Sequence, residues 1–399
     1  FAKSTIIRQP IQLNAPSGDA LAPISVDNPF NPFGSRFNNV TGAPNADGTV
    51  RVTGAPRAMT LLSENIPGVP DERMSVKGKT YRVVAGLRGK LMHGWNWETG
   101  VLFTRVTIHD SSPYNVRESF FQKALMRTDN TAFNPFGSTF KVQGGAVVAD
   151  QPYTNPASVM STIMGEWSHD GLSEIASIDA SASGPIVTLW SGDISLAVGS
   201  EYRREKFADT RPPFVGVNPP GSGLDPTDND IIVSSPRLDN FGDRTVTSVY
   251  AETVIPLVAP KNDIPLMKSS EFTASARHER YNDFGNTTKP KVGVNWKPFT
   301  TVMVRASFNE GFTAPSLPVL HQPSQFGTNL LGEIDTYRNV VTNEGTYLMR
   351  SFSTGNPGLK PTNSKGKTAG VVFDVPKVAG LSLSADYWEI RQTDIIGSL

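Results

Sequence analysis

The chain has 399 residues, 38% hydrophobic and 19% charged, and its 37 basic and 37 acidic residues balance to a formal net charge of zero. This balance gives no global attraction to nucleic acid, so we expect no nucleic-acid partner. The absence of cysteine excludes disulfides, thiolate metal sites and cysteine nucleophiles, and the absence of any run of about 18 apolar residues excludes a transmembrane helix.

Alternation of apolar and polar residues with a period of two is the dominant pattern along the chain. In the first clear segment, 79–91, Tyr81 and Val83 share one side and Arg82 and Arg88 share the other. Similar segments follow at 193–203, 248–255, 271–279, 291–297, 302–309, 369–375 and 381–387. The pattern predicts an all-β, antiparallel fold of about a dozen strands. Helical spacing is rare, and residues 156–167 are the best helix candidate.

The lengths of the strands and of their connections favour a transmembrane barrel. Strands of about ten residues or more exceed the usual 5–6 residues of a soluble sheet and match the 9–11 needed to cross a bilayer. Long polar connections at 110–173, 207–242 and 311–365 mostly alternate with short ones, although 284–288 is short where a long one is due. Short turns on one rim and long loops on the other are typical of outer-membrane barrels.

Charged residues gather on one side of the predicted strands, where a dry core would make them costly to bury. We expect the following residues to face a barrel lumen: Arg82, Arg88, Glu201, Arg203, Glu252, Arg277, Glu279 and Arg305. Aromatic residues lie near strand ends and fit either interface girdles or an ordinary core. They are Tyr81, Trp95, Trp97, Tyr202, Trp296, Phe299 and Trp388.

Five phrases, in order, carry a resemblance to the barrel of TonB-dependent outer-membrane receptors. They are "SGDISLAVGSEYRREKF" (191–207), "TSVYAETVIPLV" (247–258), "FTASARHERYNDFGNTTKPKVGVNWKPF" (272–299), "VRASFNEGFTAPSL" (304–317) and "LSLSADYWEIRQTDIIGSL" (381–399). The likeness covers residues 78–399. Thr313 departs from it, because the family often has Arg after Gly-Phe at this point. The phrase "DNPFNPFG" (27–34) and its echo "FNPFG" (133–137) fit either a feature of one branch of the family or two unrelated turns.

The resemblance implies a segment of a barrel of about 22 strands with long extracellular loops. We divide the chain into an early barrel and loop region, 1–77, and a region of strands and extracellular loops, 78–399. The implied partners are outer-membrane lipid, a small-molecule substrate, a plug domain that is not in this chain, and the TonB complex, reached through a missing N-terminal region. The closing barrel strands are also expected to lie outside this chain.

The implied function is TonB-dependent uptake of a scarce solute, such as a siderophore, cobalamin, haem or an oligosaccharide, across the bacterial outer membrane. A passive porin-like channel and a soluble all-β glycan-binding module are the alternatives. Aromatic and imidazole side chains on the long loops are the candidate ligand contacts, because such rings stack on sugars and siderophores. These residues are Tyr114, Trp167, Phe214, Phe312, His321, Tyr337 and Tyr347.

Catalytic and metal-binding patterns are missing from the sequence. The five histidines are scattered and form no His-x-x-x-His pair, and no nucleophile elbow, phosphate loop or dinucleotide fingerprint occurs. The Asp-rich stretch 221–243 suggests either calcium binding or a solvated acidic loop, and it does not match the spacing of a calcium-binding EF-hand loop. We therefore expect no enzyme activity, no cofactor and no metal site.

Overall fold

A computed structural model places eleven strands in one large sheet. It describes residues 2–8, 12–14, 23–60, 63–65, 68–70, 72–232, 234–327, 340–341, 351–376, 378 and 380–397. Within these residues we number the strands of the sheet in chain order. They are β1 Ala2–Arg8, β2 Glu72–Lys90, β3 Asn96–Val116, β4 Met164–Thr188, β5 Asp193–Thr210, β6 Asn240–Val258, β7 Ser269–Tyr281, β8 Gly285–Phe299, β9 Val302–Thr313, β10 Thr362–Asp374 and β11 Ser382–Thr393.

Each strand of the sheet pairs with the next one along the chain, and all these pairings are antiparallel. The strands β2 to β11 have 12 to 25 residues. They are therefore longer than the roughly 9–11 residues that a bilayer crossing requires. The prediction of an antiparallel all-β fold is confirmed.

The connections sort onto two rims, as the alternation of loop lengths predicted. One rim carries the short turns 91–95, 189–192, 259–268, 300–301 and 375–381. The other rim, which we call the loop rim, carries 9–71, 117–163, 211–239, 282–284 and 314–361. The short connection expected at 284–288 is present, but it lies slightly earlier because β8 already begins at Gly285.

Short elements build up the loops. The helices are α1 Glu118–Met126, α2 Ala157–Ile163 and α3 Leu317–His321, and 3₁₀ turns lie at Met92–Gly94 and Pro260–Asn262. The remaining strand pairs are Ser138–Gln143 with Ala146–Pro152, Gln12–Asn14 with Ser63–Asn65, Pro23–Ile24 with Met59–Thr60, Asn38–Asn39 with Val52–Thr53, and Gln325–Gly327 with Ser351–Ser353. The helix predicted at 156–167 is right only in its first part, because β4 begins at Met164.

The two faces of the sheet differ sharply in chemistry. Val83 pairs with Phe103 and Phe103 with Ala176, so these side chains share one face, which we call the apolar face. On the opposite face, the polar face, Glu201 pairs with Ser248. Strand register places all eight residues expected to face a lumen on this polar face. Burial follows neither face, because the main buried cluster lies among the loops.

The aromatic residues near strand ends divide between the two faces. Tyr81 and Tyr202 lie on the apolar face, where Tyr81 pairs with Arg105 and Tyr202 with Ile178. Trp388 differs, because it pairs with Thr368, whose hydroxyl contacts Ser307 on the polar face. The girdle interpretation therefore does not fit Trp388.

Candidate ligand-binding surface

The loops on the loop rim share a hydrophobic core of their own. It joins residues from the first loop (9–71), the last residue of β3, the second loop (117–163) with its two helices, and the third loop (211–239). They are Ile24, Val69, Val116, Phe121, Ala124, Leu125, Phe133, Val159, Met160, Ile163 and Ile232. The rings of Phe121 and Phe133 meet edge to face with centroids 5.2 Å apart. Burial of this many apolar side chains holds the loops as one packed body.

Three Asn-Pro-Phe segments at 28–30, 31–33 and 134–136 fold into the same turn. In each, the asparagine Oδ1 accepts the backbone N–H two residues later, at 2.9, 3.0 and 2.8 Å. All three asparagines are fully buried. Asn28 Nδ2 also donates to Leu125 O at 2.9 Å, which joins the first loop to α1. The sequence echo is thus a repeated structural device, and one of its copies links two loops.

A buried ion pair connects the second and third loops. Arg117 Nε donates to Asp230 Oδ2 at 2.5 Å, and Asp230 is only 2% exposed. Asp230 also accepts the Ser119 N–H at 2.7 Å and the Ser119 hydroxyl at 2.8 Å. The carboxylate therefore caps the first turn of α1 while it neutralises the arginine.

Two aromatic rings cover the arginine of this pair. The Arg117 Cζ lies 4.7 Å from the ring centroid of Phe120 and 4.4 Å from that of Phe214. Phe214 has a φ of 69°, in the left-handed region that a bulky residue rarely occupies. Such strain persists only where surrounding contacts enforce it, and it is common at ligand sites.

A pocket of about 640 Å³ opens beside these rings. Its lining combines apolar and cationic side chains, among them Arg117, Phe120, Lys123, Met126, Phe214 and Leu224. Lys123 Nζ lies 5.5 Å from the Phe120 centroid. Aromatic faces with adjacent cations suit a planar or aromatic solute that carries negative charge.

The pKa of Glu118, at the start of α1, is shifted by its buried position and its acidic neighbours. Burial, together with the carboxylates of Asp228 and Asp230, raises the pKa of Glu118 above its usual range. Gln122 Nε2 donates to Glu118 Oε1 at 2.9 Å and partly opposes the shift. Because the folded-state pKa is raised, protonation of Glu118 favours the folded loop, and this contribution is lost as the pH rises through the folded pKa.

The structure does not bring the predicted ligand contacts together in one place. Among the described residues, Phe214 packs on Arg117, and the Trp167 ring lies 6.5 Å from that of His169. Phe312 meets Tyr281 edge to face at 6.0 Å. An ideal Cβ placed on Gly242 would lie 2.6 Å from His321 Cδ2, so the imidazole of His321 packs on β6.

Three further candidate contacts add no common site. Tyr114 lies near the end of β3, half-buried, and no ring contact or hydrogen bond joins it to another described candidate. Tyr337 and Tyr347 lie outside the described residues.

The polar face carries an extended network of ion pairs across β5, β6 and β7. Arg203 bonds to Glu201 at 2.9 Å and to Glu205 at 2.8 Å. Arg277 bonds to Glu201 at 2.8 Å and contacts Glu279 more closely still. Each of these carboxylates has an arginine partner, which offsets the cost of removing it from water.

A second group of charged residues, around Arg244, lies at the end of this network nearest the loop rim. Arg244, on β6, has a side chain only 4% exposed and lies 3.4 Å from Glu205 and 3.5 Å from Asp283. It also donates to the backbone oxygen of Pro315 at 2.7 Å. This bond fixes the start of the fifth loop against β6.

A histidine between two carboxylates lies on the same face. His169 Nδ1 is 3.3 Å from Asp110 and Nε2 is 2.8 Å from Asp209, which also pairs with Arg211. In the described part of the chain, no group of three His, Cys, Asp or Glu side chains is arranged to hold a metal ion. No described helix has the length and apolar character to cross a membrane.

Sequence reasoning missed Arg117, Phe120 and Asp230, which lie inside segments read as long loops. A signal existed for α1, because Phe121, Ala124 and Leu125 have the i, i+3, i+4 spacing of a buried helix face. No local signal marks Asp230, since its partners lie 111 and 113 residues away in the chain.

Comparison with known families identifies the chain. The family model described as "TonB dependent receptor-like, beta-barrel" matches residues 20–399. The chain therefore belongs to the TonB-dependent receptor family, in its β-barrel domain. This assignment confirms the resemblance and the barrel class predicted from the sequence. No curated protein sequence matches the chain.

Comparison with solved structures finds receptors and an importer. The siderophore receptor PirA from Acinetobacter baumannii aligns at 14% identity and a TM-score of 0.46, over 82% of this chain and 40% of the receptor. A variant of the ferric enterobactin receptor PfeA from Pseudomonas aeruginosa aligns at 13% and 0.41, over 87% and 46%. The RagAB peptide importer aligns at 11% and 0.45, over 86% and 33%. The chain thus spans less than half the length of these proteins.

Proposed function

We propose that this chain forms part of the barrel wall and the extracellular loops of a receptor that imports a scarce solute across the bacterial outer membrane. Membership of the TonB-dependent receptor family is the observation that carries the proposal. Import would be energised by the TonB complex of the inner membrane. The substrate would be a siderophore, cobalamin, haem or an oligosaccharide, and an enzyme activity is not part of the proposal.

The chemistry of the two faces supports an orientation in the membrane. The apolar face would contact lipid, and the polar face would line a lumen that holds a plug domain. Paired charges such as Arg203 with Glu201 are tolerated in a wet or plugged lumen and would be costly in lipid. The loop rim would then face outward. Residues 1–77 would supply early barrel and loop structure, and residues 78–399 the strands and extracellular loops.

The pocket beside Arg117 is our candidate for the first ligand contact. Phe214 is the predicted contact residue that lies in this pocket, and its strained backbone supports a role in binding. Tyr114, Trp167, Phe312 and His321 remain proposed contacts at other places on the loop rim.

A transport assay tests the proposal against a passive channel. Cells carrying the full-length receptor are supplied with radiolabelled members of the four solute classes, with and without an active TonB complex. We expect saturable uptake of one class that is lost when TonB is inactive. Uptake that persists without TonB would support the porin-like channel, and a receptor absent from the outer-membrane fraction would support the soluble binding module.

The pocket is tested by Phe214→Ala in the full-length receptor, with Phe33→Ala as the matched control. Phe33 is also a loop phenylalanine, 53% exposed where Phe214 is half-buried, and it has no aromatic or cationic ring contact among the described residues. We expect Phe214→Ala to weaken ligand binding about tenfold, because a ring–ligand contact of this kind contributes about 1–2 kcal/mol. Equal affinities of the two variants would remove the pocket from the proposal.

A further inference from the structure

On the apolar face, aromatic residues are followed by cationic residues near the loop rim. The last aromatic residues on this face of β2, β3 and β5 are Tyr81, Phe103 and Tyr202. The next residues on the same face toward the loop rim are Lys79, Arg105 and Arg204. The boundary is offset by two residues between β2 and β3, where Tyr81 pairs with Arg105, and by two more between β3 and β5, where Phe103 and Arg204 both pair with Ala176. A change from aromatic to cationic residues on each strand is the pattern expected where acyl chains give way to headgroups.

A shallow hollow of about 490 Å³ lies at this boundary and crosses β2, β3, β4 and β5. Its lining includes Lys77, Lys79, Arg105, Thr107, His109 and Leu172. Lys77 and Lys79 are two positions apart on β2, and both are exposed. Their side chains therefore lie on the same face, one after the other along the strand.

The hollow has an excess of positive charge. Its two acidic neighbours already have partners, since Asp170 lies 2.8 Å from His109 and Glu174 lies 4.0 Å from Arg105. Within the described residues neither Lys77 nor Lys79 has an ion-pair partner. Arg203 and Arg244, on the polar face of neighbouring strands, differ from these lysines because both lie close to carboxylates.

We propose that this hollow binds the phosphate groups of a lipid whose acyl chains lie on the apolar face below it. The lysines and Arg105 would supply charge-assisted hydrogen bonds to phosphate oxygens, and the aromatic residues beneath would contact the chains. A soluble anion would leave the apolar border unused, so a phosphorylated amphiphile fits the surface better than free phosphate. The inference rests on the proposed placement of the receptor in the outer membrane.

Lipid binding by the purified full-length receptor tests the site. The receptor in mild detergent is titrated with diphosphoryl lipid A, a multiply acylated disaccharide with two phosphates. The test variant combines Lys77→Gln, Lys79→Gln and Arg105→Gln. The matched control removes three cations from the opposite, polar face of β2, through Arg82→Gln, Arg88→Gln and Lys90→Gln.

We expect the test variant to bind lipid A at least about tenfold more weakly than the unaltered receptor, and the control to bind within about twofold of it. Equal affinity of the test variant, or an equal loss in the control, would overturn the site. Heat-dependent gel mobility verifies that each variant is folded. If the triple variant does not fold, Lys79→Gln alone replaces it, with a smaller expected loss of lipid A affinity.

Two further titrations identify the source of the phosphate. Dephosphorylated lipid A should bind as weakly as lipid A binds to the test variant, and inorganic phosphate should not compete at millimolar concentration. Competition by inorganic phosphate would contradict a lipid site and indicate an anion site. Failure of the lipid site can be distinguished from failure of the proposed function, because the latter would show as a receptor missing from the outer-membrane fraction.

Discussion

The side chain of Asn28 joins two loops that lie far apart in the chain. Its Oδ1 closes the local turn at Phe30, and its Nδ2 reaches Leu125 O, 97 residues away. The asparagine is fully buried, so no water is available to replace either bond. One amide therefore fixes both the shape of the first loop and its position against α1.

Asn28→Ala should destabilise the loop assembly by about 2–4 kcal/mol, because two buried hydrogen-bonding groups lose their partner. Asn39→Ala is the matched control, since Asn39 closes the same kind of turn at Thr41 with a 2.9 Å bond that is exposed to water. The control should cost less than about 1 kcal/mol. Protease resistance of the loops across a urea series measures both variants, and similar losses would show that burial does not matter.

The turn at each Asn-Pro-Phe segment could be predicted from the sequence, because an asparagine before proline favours this local bond. The role of Asn28 as a link could not. Its partner, the carbonyl of Leu125, belongs to a helix that only tertiary packing brings near. For the same reason the sequence did not indicate that Phe214 would lie on Arg117.

At the scale of elements, the fifth loop begins by folding back across the sheet. Residues 314–321, which we call the strap, follow β9, yet α3 within the strap packs on β6. Asn240 Nδ2 donates to Pro318 O at 3.1 Å, beside the Arg244 bond to Pro315. The strap therefore spans the rim ends of β7 and β8, whose connection has only three residues. A longer connection at 282–284 would occupy the same space.

Gly242→Ala should loosen the strap by about 1–3 kcal/mol, because the added Cβ would lie 2.6 Å from His321 Cδ2. Adding His321→Ala to the same chain should restore most of the loss by removing the clash. Limited proteolysis of the fifth loop measures the effect. Gly171→Ala is the control, since its nearest contacts would be 3.8 and 3.9 Å. Failure of His321→Ala to rescue would mean that α3 does not dock as described.

Strands could be predicted well at this scale, and helices poorly. A strand with one apolar and one polar face must alternate along its whole length, so the strands at 79–91 and 302–309 could be predicted without any knowledge of their partners. Helix α2, of seven residues, lies within the predicted helix 156–167, but that prediction runs on into β4. Helix α1, of nine residues, was not predicted, because its short apolar pattern lies inside a long polar connection. Both helices are stabilised by the core of the loops, which residues from three separate segments supply.

At the scale of the whole molecule, the difference between the two faces of the sheet determines which face can contact lipid. Val101 and Leu102 are neighbours on β3 but lie on opposite faces, because Val101 pairs with Ile178 and Leu102 with Ser177. This pair offers a direct test of which face meets lipid.

Val101→Arg should prevent or slow barrel assembly, since an arginine facing the middle of the bilayer costs about 2–4 kcal/mol. Leu102→Arg should be tolerated, because the polar face already carries arginines. The amount of heat-modifiable receptor in the outer-membrane fraction measures each variant. If the Val101→Arg receptor assembles normally and the Leu102→Arg receptor does not, the apolar face does not contact lipid. That result would support a soluble module with an apolar interior.

The bond between Arg244 and Pro315 also has a consequence for the order of assembly. The two residues are 71 positions apart, and β7, β8 and β9 lie between them in the chain. We therefore expect the strap to dock on β6 after those three strands have joined the sheet, because their pairing first brings the two residues near each other and lowers the entropy cost of closing the intervening chain. In a sheet that has not yet incorporated these strands, Arg244 would lack its bond to Pro315 and would be exposed to water. The exposure of this arginine would therefore differ between the complete and the incomplete sheet.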